Sequence, residues 1–247
     1  ERVASYIREG GLLTQDDEHA RFMKRYFAAV FLLLLLLAGC GRTDGVTVTV
    51  LPEPREFTGF RASAPTPEAA RTARELVEAV LAEYPAGFSD QWGPVEILLV
   101  GELTGGDRYA GGHFAGFTQR TDTGWLMVLD AGRCGAGTVH HELAHILDGI
   151  LTEAGALTEK DWMAFCPGDF SYGQTGDYPD FCADAYAMTD IREDRARTFE
   201  DAVLYGPGIY ANRPALWLKL EYFSRAIRAH FDTTGWPEKT VWELALE

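Results

Sequence analysis

The stretch Thr138-Val-His-His-Glu-Leu-Ala-His-Ile-Leu-Asp148 decides how this chain is interpreted. Within it, His141-Glu142-Leu-Ala-His145 has the pattern H-E-x-x-H. On a helix, residues four apart lie on the same face, one turn above the other, so both imidazoles reach one metal ion. Glu142 follows His141 directly, where its carboxylate is placed to take a proton from water at that ion. The pattern therefore predicts a catalytic metal site.

The residues around this motif favour a helix. Four apolar side chains recur at helical spacing, which predicts a face that packs on a core. They are Val139, Leu143, Ile146 and Leu147. Gly135 and Gly137 precede the motif and Gly149 follows it, and we interpret these glycines as start and stop signals. Zinc is the expected metal, because it accepts two neutral imidazoles and a carboxylate and leaves a fourth position open.

The composition predicts a folded, acidic protein. Of 247 residues, 47% are hydrophobic and 24% are charged, which is typical of a globular chain and not of a disordered one. The formal net charge of −15 argues against a nucleic-acid partner, since such partners require clustered Lys and Arg. The same charge suits a domain that works outside the cytoplasm.

The amino-terminal region predicts export. Residues 1–22 show no pattern, and we interpret them as an upstream extension from a misplaced start codon. Residues 23–39 have a basic start, a short apolar run and small residues, which indicates a signal peptide and not a membrane-spanning helix. The sequence Leu37-Ala-Gly-Cys40 resembles the lipobox of bacterial lipoproteins. This resemblance implies lipid attachment to Cys40, a tether over 40–45 and anchoring to the cell membrane or outer membrane; the alternatives are a non-lipidated signal peptide or a buried helix.

Residues 46–247 then form the predicted domain, which is α+β. Strands are expected at 46–51, 95–100 and 125–130, and a helix begins at Thr66 with Pro67 in its first turn. These elements predict a small mixed α/β lobe that ends in the H-E-x-x-H helix. The Gly-rich segment 110–118 is a candidate for pairing with an extended substrate backbone. We interpret its histidine, His113, as a surface or structural residue.

Beyond the motif, the chain is expected to be mostly helical. Residues 165–181 are rich in Gly, Pro, aromatic and acidic residues, which predicts a long ordered loop. Cys166 and Cys182 flank this loop, and in an exported protein they are a candidate disulfide pair that leaves Cys134 single. Spacing alone leaves the other pairings among these three residues open. A packed helix is expected over 213–231.

The third metal ligand has to come from a distant part of the chain. No histidine occurs between His145 and His230, which excludes the metzincin pattern of a third nearby histidine. A later helical segment supplies Glu193, which shares one helical face with apolar residues and is predicted to point inward. Those residues are Ala196, Phe199, Ala202 and Val203. Asp194 is the alternative ligand.

Taken together, these segments resemble a known class of enzymes. His141–His145, Tyr186-Ala-Met-Thr and Glu193-Asp-x-Ala-x-Thr-Phe are similar to the catalytic region of gluzincin peptidases, in particular the anthrax lethal factor-like catalytic domain and related zinc peptidases of bacteria. The likeness covers residues 140–205. It implies a zincin-like fold, hydrolysis of a peptide or protein substrate, Glu193 as the ligand that completes the zinc site, and Tyr186 as a residue that faces the metal and supports the reaction intermediate.

One position departs from that family. Its members often have a second acidic residue four positions after the ligand Glu, where this chain has Arg197. A metal-binding histidine needs a partner for its other ring nitrogen, and four acidic residues are candidates. These are Asp148, Asp184, Asp194 and Glu200. Arg197 also leaves open an alternative function, a catalytically inactive zinc-binding surface lipoprotein that acts as a binding or import-accessory module. The sequence does not indicate the substrate or the oligomeric state.

Overall fold

A four-stranded sheet lies at the centre of the amino-terminal half of the fold. The computed structural model describes residues 45–57, 59–106 and 111–247. The predicted upstream extension, the signal peptide and Cys40 lie outside these residues. Among the helices in the described part of the chain, none is long and apolar enough to cross a membrane.

This central sheet has the strand order β1-β4-β7-β6. Its strands are β1 (Val46–Val50), β4 (Val95–Val100), β7 (Trp125–Asp130) and β6 (Gly116–Arg120). The first three run parallel, and β6 pairs antiparallel with β7 at the edge. Strands β4 and β7 are apolar along nearly their whole length because both faces of the sheet are covered. The strands expected from the sequence are thus confirmed to within one residue.

A second, smaller sheet covers one face of the central sheet. It consists of the antiparallel strands β2 (Arg55–Phe57), β3 (Phe60–Ala62) and β5 (Leu103–Gly105). Apolar residues of β4 and β7 pack there against four partly buried phenylalanines. These are Phe57, Phe60, Phe114 and Phe117. The sequence did not predict this sheet, since its strands are too short to show a periodic pattern.

The helices lie on the opposite face and in the carboxyl-terminal half. The described residues contain α1 (Pro67–Leu81), α2 (Ala136–Glu153), α3 (Glu159–Met163), α4 (Ile191–Tyr205) and α5 (Pro214–His230). The predicted start of α1 is confirmed, because the Thr66 hydroxyl caps the helix by accepting a hydrogen bond from the backbone of Ala69 at 3.2 Å. The mixture of sheets and helices confirms the predicted α+β fold class.

Two glycines that were interpreted as helix boundaries lie inside α2. The helix begins after Gly135, as predicted, but it continues past Gly149 to Glu153. Gly149 is needed for packing, because a Cβ atom there would lie 2.0 Å from the Trp125 ring. Gly137 lies in the first turn, where a Cβ would lie 2.6 Å from Oε1 of Glu200. The stop-signal interpretation of Gly149 was therefore wrong, since close contact with β7 and not chain reversal requires the glycine.

The carboxyl-terminal half packs around an aromatic core. Phe199 of α4 and Phe223 of α5 are fully buried, with ring centroids 5.4 Å apart. Trp242, in the chain after α5, is also buried and lies 5.5 Å from the ring of Phe199. The tail thus covers this part of the core. Tyr84 connects this core to α2, because its ring stacks on Phe199 and its hydroxyl lies 2.9 Å from Nδ1 of His140. Helices α2 and α4 carry the candidate site.

Candidate metal centre

The H-E-x-x-H residues lie on the face of α2 that meets α4. His141 and His145 are one helical turn apart, and their Nε2 atoms are 3.1 Å from each other. Both side chains are only slightly exposed. Edge strand β6 lies beside the same turn, where the Thr118 hydroxyl donates a hydrogen bond to the backbone oxygen of Glu142 at 3.2 Å. The helix therefore presents both imidazoles to one point, as their spacing predicted.

Glu193 reaches this point from the first turn of α4. The Asp190 side chain caps that helix by accepting a hydrogen bond from the Arg192 backbone at 2.9 Å. Oε2 of Glu193 lies 3.0 Å from Nε2 of His141 and 3.4 Å from Nε2 of His145. Three potential ligand atoms from two helices thus converge, although 47 residues separate His145 from Glu193 in the chain.

The geometry of the three side chains fits zinc. Ligands about 2.0–2.1 Å from a tetrahedral zinc ion lie about 3.3–3.4 Å from each other. The distances here, 3.0, 3.1 and 3.4 Å, match the edges of such a tetrahedron with one corner open. Two imidazoles and one carboxylate are also a donor set that zinc prefers. His141, His145 and Glu193 would therefore hold the ion.

The charges at the site also favour a cation. Burial on its own would lower the pKa of His141, but hydrogen bonds to Glu193 and Glu200 outweigh it and raise this pKa to about 10. Burial likewise opposes ionisation of Glu193, yet the two histidines hold its pKa well below the ordinary value. The carboxylates of Glu193 and Glu200 thus stabilise positive charge beside His141, and a bound metal ion would supply that charge in place of the second proton of the imidazole.

Glu142 is buried beside the histidines without a full set of partners. Its side chain is only 5% exposed, and among the described residues its Oε2 atom has no hydrogen-bond partner. Desolvation raises the pKa of this carboxyl, and the neighbouring His145 and His141 partly offset the rise. A buried carboxylate with one oxygen unpaired is costly for a fold, so its presence next to the metal-ligand cluster points to a chemical role.

Tyr186 borders the same cluster. Its ring centroid lies 6.1 Å from that of His141, and the residue is 51% exposed. Loss of water around the phenol raises its pKa, and the carboxylates of Glu193 and Glu142 add to this effect. Tyr186 is therefore a protonated phenol at neutral pH, and its O–H donates a hydrogen bond to Glu193 of the cluster.

Of the four acidic candidates for orienting a histidine, Glu200 contacts one. Its Oε2 accepts a hydrogen bond from Nδ1 of His141 at 3.1 Å. Asp148 instead pairs with Arg195 at 2.7 Å, and Asp184 accepts a hydrogen bond from Arg197 at 2.8 Å. Glu200 lies two helical turns after Glu193, on the same face of α4, and that spacing is the signal that would have singled it out.

Asp194, the alternative ligand, belongs to a different cluster. Its Oδ2 accepts hydrogen bonds from Lys219 at 2.6 Å, from the Trp162 indole at 2.8 Å and from Tyr172 at 2.7 Å. Asp194 and Lys219 are both fully buried. Asp194 therefore faces away from the histidines, because neighbouring residues on a helix point in directions about 100° apart.

The expected disulfide is absent from the described structure. Cys134, Cys166 and Cys182 are all free thiols there, so the predicted pairing of Cys166 with Cys182 was wrong. Cys182 is buried in a small cluster with Ala183, Ala187 and Met188. Cys166 is only partly buried, at the other end of the loop between α3 and α4.

His113 does not join the metal-ligand cluster. Its Nδ1 lies 3.1 Å from Glu102, and both side chains are about half exposed. This position agrees with its interpretation as a surface residue.

Comparisons with known proteins support the fold. The sequence matches no family profile and no curated protein. Among solved structures, the chain is similar to one described as a "putative zinc-binding metallo-peptidase" from Bacteroides caccae, with a TM-score of 0.52 and 13% sequence identity. The match covers 96% of this chain and 91% of that chain. The protein therefore has a metallopeptidase-like α+β fold, while its likeness to the lethal factor-like family stays a prediction.

Proposed function

We propose that this protein is a zinc-dependent peptidase. One observation carries the proposal: three potential ligand atoms lie within 3.0–3.4 Å of each other, beside a buried carboxylate whose Oε2 atom has no hydrogen-bond partner among the described residues. A site that only stabilised the fold would close the zinc with a fourth protein ligand and would have no use for a neighbouring base. Among the described residues, the metal-ligand cluster contains three side chains and not four.

Each residue has a distinct role in this proposal. When bound, zinc supplies Lewis-acid polarisation of the peptide carbonyl and lowers the pKa of water toward about 7. Glu142 accepts a proton from water at Oε2 and later passes it to the leaving amine. Its raised pKa suits both steps, because a carboxyl with a pKa nearer neutrality both takes and releases a proton readily. Tyr186 donates its phenolic O–H to the oxygen that becomes negative.

Strand β6 is the proposed place where the substrate backbone lies. Within the described residues, β6 pairs with β7 on one side only, so its other edge offers backbone groups to an added strand. Gly116 at its start is close to the base, since a Cβ there would lie 3.2 Å from Cγ of Glu142. An extended peptide along this edge would pass the candidate centre.

Export and lipid anchoring through Cys40 belong to the same proposal. They are supported by the lipobox-like sequence at 37–40 and by the acidic composition of the chain. An anchored peptidase would act on peptides or proteins at the membrane surface. Labelling of cells with a radioactive fatty acid, compared between the native chain and Cys40→Ala, tests the anchor directly.

A peptide-cleavage assay tests the activity. The full chain, loaded with zinc, is incubated with a mixed peptide library, and the products are identified by mass spectrometry. We expect Glu142→Gln to abolish cleavage while zinc content stays at one ion per chain. Glu153→Gln is the matched control, because Glu153 lies on the same helix and is paired at the surface with Arg120. Cleavage that persists in Glu142→Gln, or no cleavage by the native chain, would contradict the proposal; the second outcome favours the binding-module alternative.

A further inference from the structure

Arg197 lies between two carboxylates that serve different parts of the candidate centre. One of its guanidinium nitrogens, Nη1, donates a hydrogen bond to Oε2 of Glu200, the same oxygen that accepts from His141. Its Nε donates to Oδ2 of Asp184 at 2.8 Å. Arg197 therefore links the carboxylate that orients His141 to the loop before α4. The planar guanidinium suits such a link, since it donates in two fixed directions at once.

Asp184 in turn shapes the turn that holds Tyr186. Its Oδ1 accepts a hydrogen bond from the backbone N–H of Ala187 at 2.9 Å, which closes the turn around Tyr186. The backbone oxygen of Tyr186 accepts from Thr189, through its N–H at 3.0 Å and its hydroxyl at 2.7 Å. The tyrosine is 51% exposed, so packing alone does not hold its ring in place. Its position depends on the turn and on the hydrogen bond of its side chain to Glu193, and Arg197 attaches the turn to α4.

Glu200, the other carboxylate that Arg197 contacts, packs closely against α2. Gly137 leaves room for the Glu200 carboxylate, because a Cβ at that position would lie 2.6 Å from its Oε1 atom. Glu200 is thereby able to approach the first turn of α2 and reach His141. The resulting chain of contacts runs from Tyr186 through Asp184, Arg197 and Glu200 to the candidate metal ligand.

We propose that Arg197 is a positioning residue that fixes Tyr186 relative to the metal ligands. This inference rests on the proposed peptidase function for its kinetic consequence only, since the positioning itself is a property of the protein. The proposal assigns a role to Arg197, which stands where the peptidases that this sequence resembles often have an acidic residue. Arg197 then does not mark a lost activity, because it holds in place both an acidic partner of His141 and the turn of the proton-donating tyrosine.

The position of Tyr186 is measured first, without any need for activity. The full chain is labelled with 3-fluorotyrosine and loaded with zinc, and the ¹⁹F resonance of Tyr186 is assigned from its absence in Tyr186→Phe. We expect both Arg197→Met and Asp184→Asn to move this resonance toward that of a solvent-exposed tyrosine. Arg192→Met is the matched control, because Arg192 lies on the same helix but is exposed and bonds only to Asp190 in the described structure. It should leave the resonance in place.

Kinetics on a cleaved peptide provide the second measurement. At saturating zinc, loss of a residue that orients a catalytic group is expected to lower kcat by about 10- to 100-fold. For Arg197→Met we expect such a loss with KM within about twofold of the native value. In the Tyr186→Phe background, the same substitution should lower kcat by no more than about twofold, since the group that it positions is already gone.

Two results would overturn the inference. A Tyr186 resonance unchanged in both Arg197→Met and Asp184→Asn would show that the turn does not depend on this link. The second result is a double variant, Arg197→Met with Tyr186→Phe, whose fold-loss in kcat equals the product of the losses in the two single variants. That result would show that the two residues act independently. If the native chain cleaves no peptide, the peptidase proposal fails. The ¹⁹F resonance of Tyr186 still tests whether Arg197 positions this residue, so the two failures are distinguishable.

Discussion

Replacing Lys219 with methionine tests how strongly the buried charge pair beneath the site supports the fold. Nζ of Lys219 donates to Asp194 at 2.6 Å and to the backbone oxygen of Phe181 at 2.6 Å. Both charged side chains are fully buried, so removing one leaves the other charge without its partner in a region that water does not reach. Breaking such a pair costs about 3–5 kcal/mol. For a domain of this size, that corresponds to a fall in Tm of about 6–20 °C.

The assay is urea unfolding at 25 °C, followed by circular dichroism, for Lys219→Met, Asp194→Leu and the double variant. We expect each single change to cost about 3–5 kcal/mol and the double change to cost clearly less than their sum. Lys239→Met is the control, because Lys239 lies equally close to Glu247, at 2.6 Å, but both side chains are about half exposed. That change should cost less than about 1 kcal/mol.

The reasoning would be refuted by two results. Loss of less than about 1 kcal/mol in Lys219→Met would mean that burial does not raise the cost of the unpaired Asp194. Additive losses in the double variant, within about 0.5 kcal/mol, would mean that the two groups do not interact despite their 2.6 Å separation.

Three further predictions concern packing, metal and pH. Gly149→Ala should destabilise the protein by about 1–3 kcal/mol in thermal unfolding, because the contact with Trp125 outweighs the better helix propensity of alanine; a gain in stability would contradict the packing argument. Zinc at about 1,000 times its Kd should stabilise the fold by about 4 kcal/mol in calorimetry, and His145→Ala should abolish this gain. For Glu243, burial opposes ionisation, but hydrogen bonds from Arg228 and others lower its pKa to about 2. Because the folded pKa is the lower one, Glu243→Gln should cost about 1–3 kcal/mol at pH 7, and the gap should close as the pH falls from about 4 through 2; a gap independent of pH would exclude this linkage.

Local patterns made several features predictable. The strands at 95–100 and 125–130 were identified because a parallel strand covered on both faces is apolar throughout. The common face of His141 and His145 follows from helical spacing alone. The α+β class follows from the order of these elements. Each of these inferences depends on residues within one or two turns, or one strand, of each other.

Packing between distant segments decided the rest. Gly149 has the sequence context of a helix stop, yet the Trp125 ring requires it within the helix. Cys166 and Cys182 flank a loop as a disulfide pair would, but both are free thiols in the described structure. Spacing along the chain does not determine whether two cysteines form a disulfide.

The sequence by itself determined that two imidazoles and a base would share one turn of a helix, because four-residue periodicity is a property of the backbone. Only the tertiary structure decided that Glu193 meets them, that Asp194 beside it pairs with Lys219 instead, and that Glu200 orients His141. These contacts depend on how α4 lies against α2, and that arrangement is set by the aromatic core and by the small residues between the helices. The sequence specifies which side chains are available for packing, but the distances between side chains on different helices are fixed only when those helices pack together.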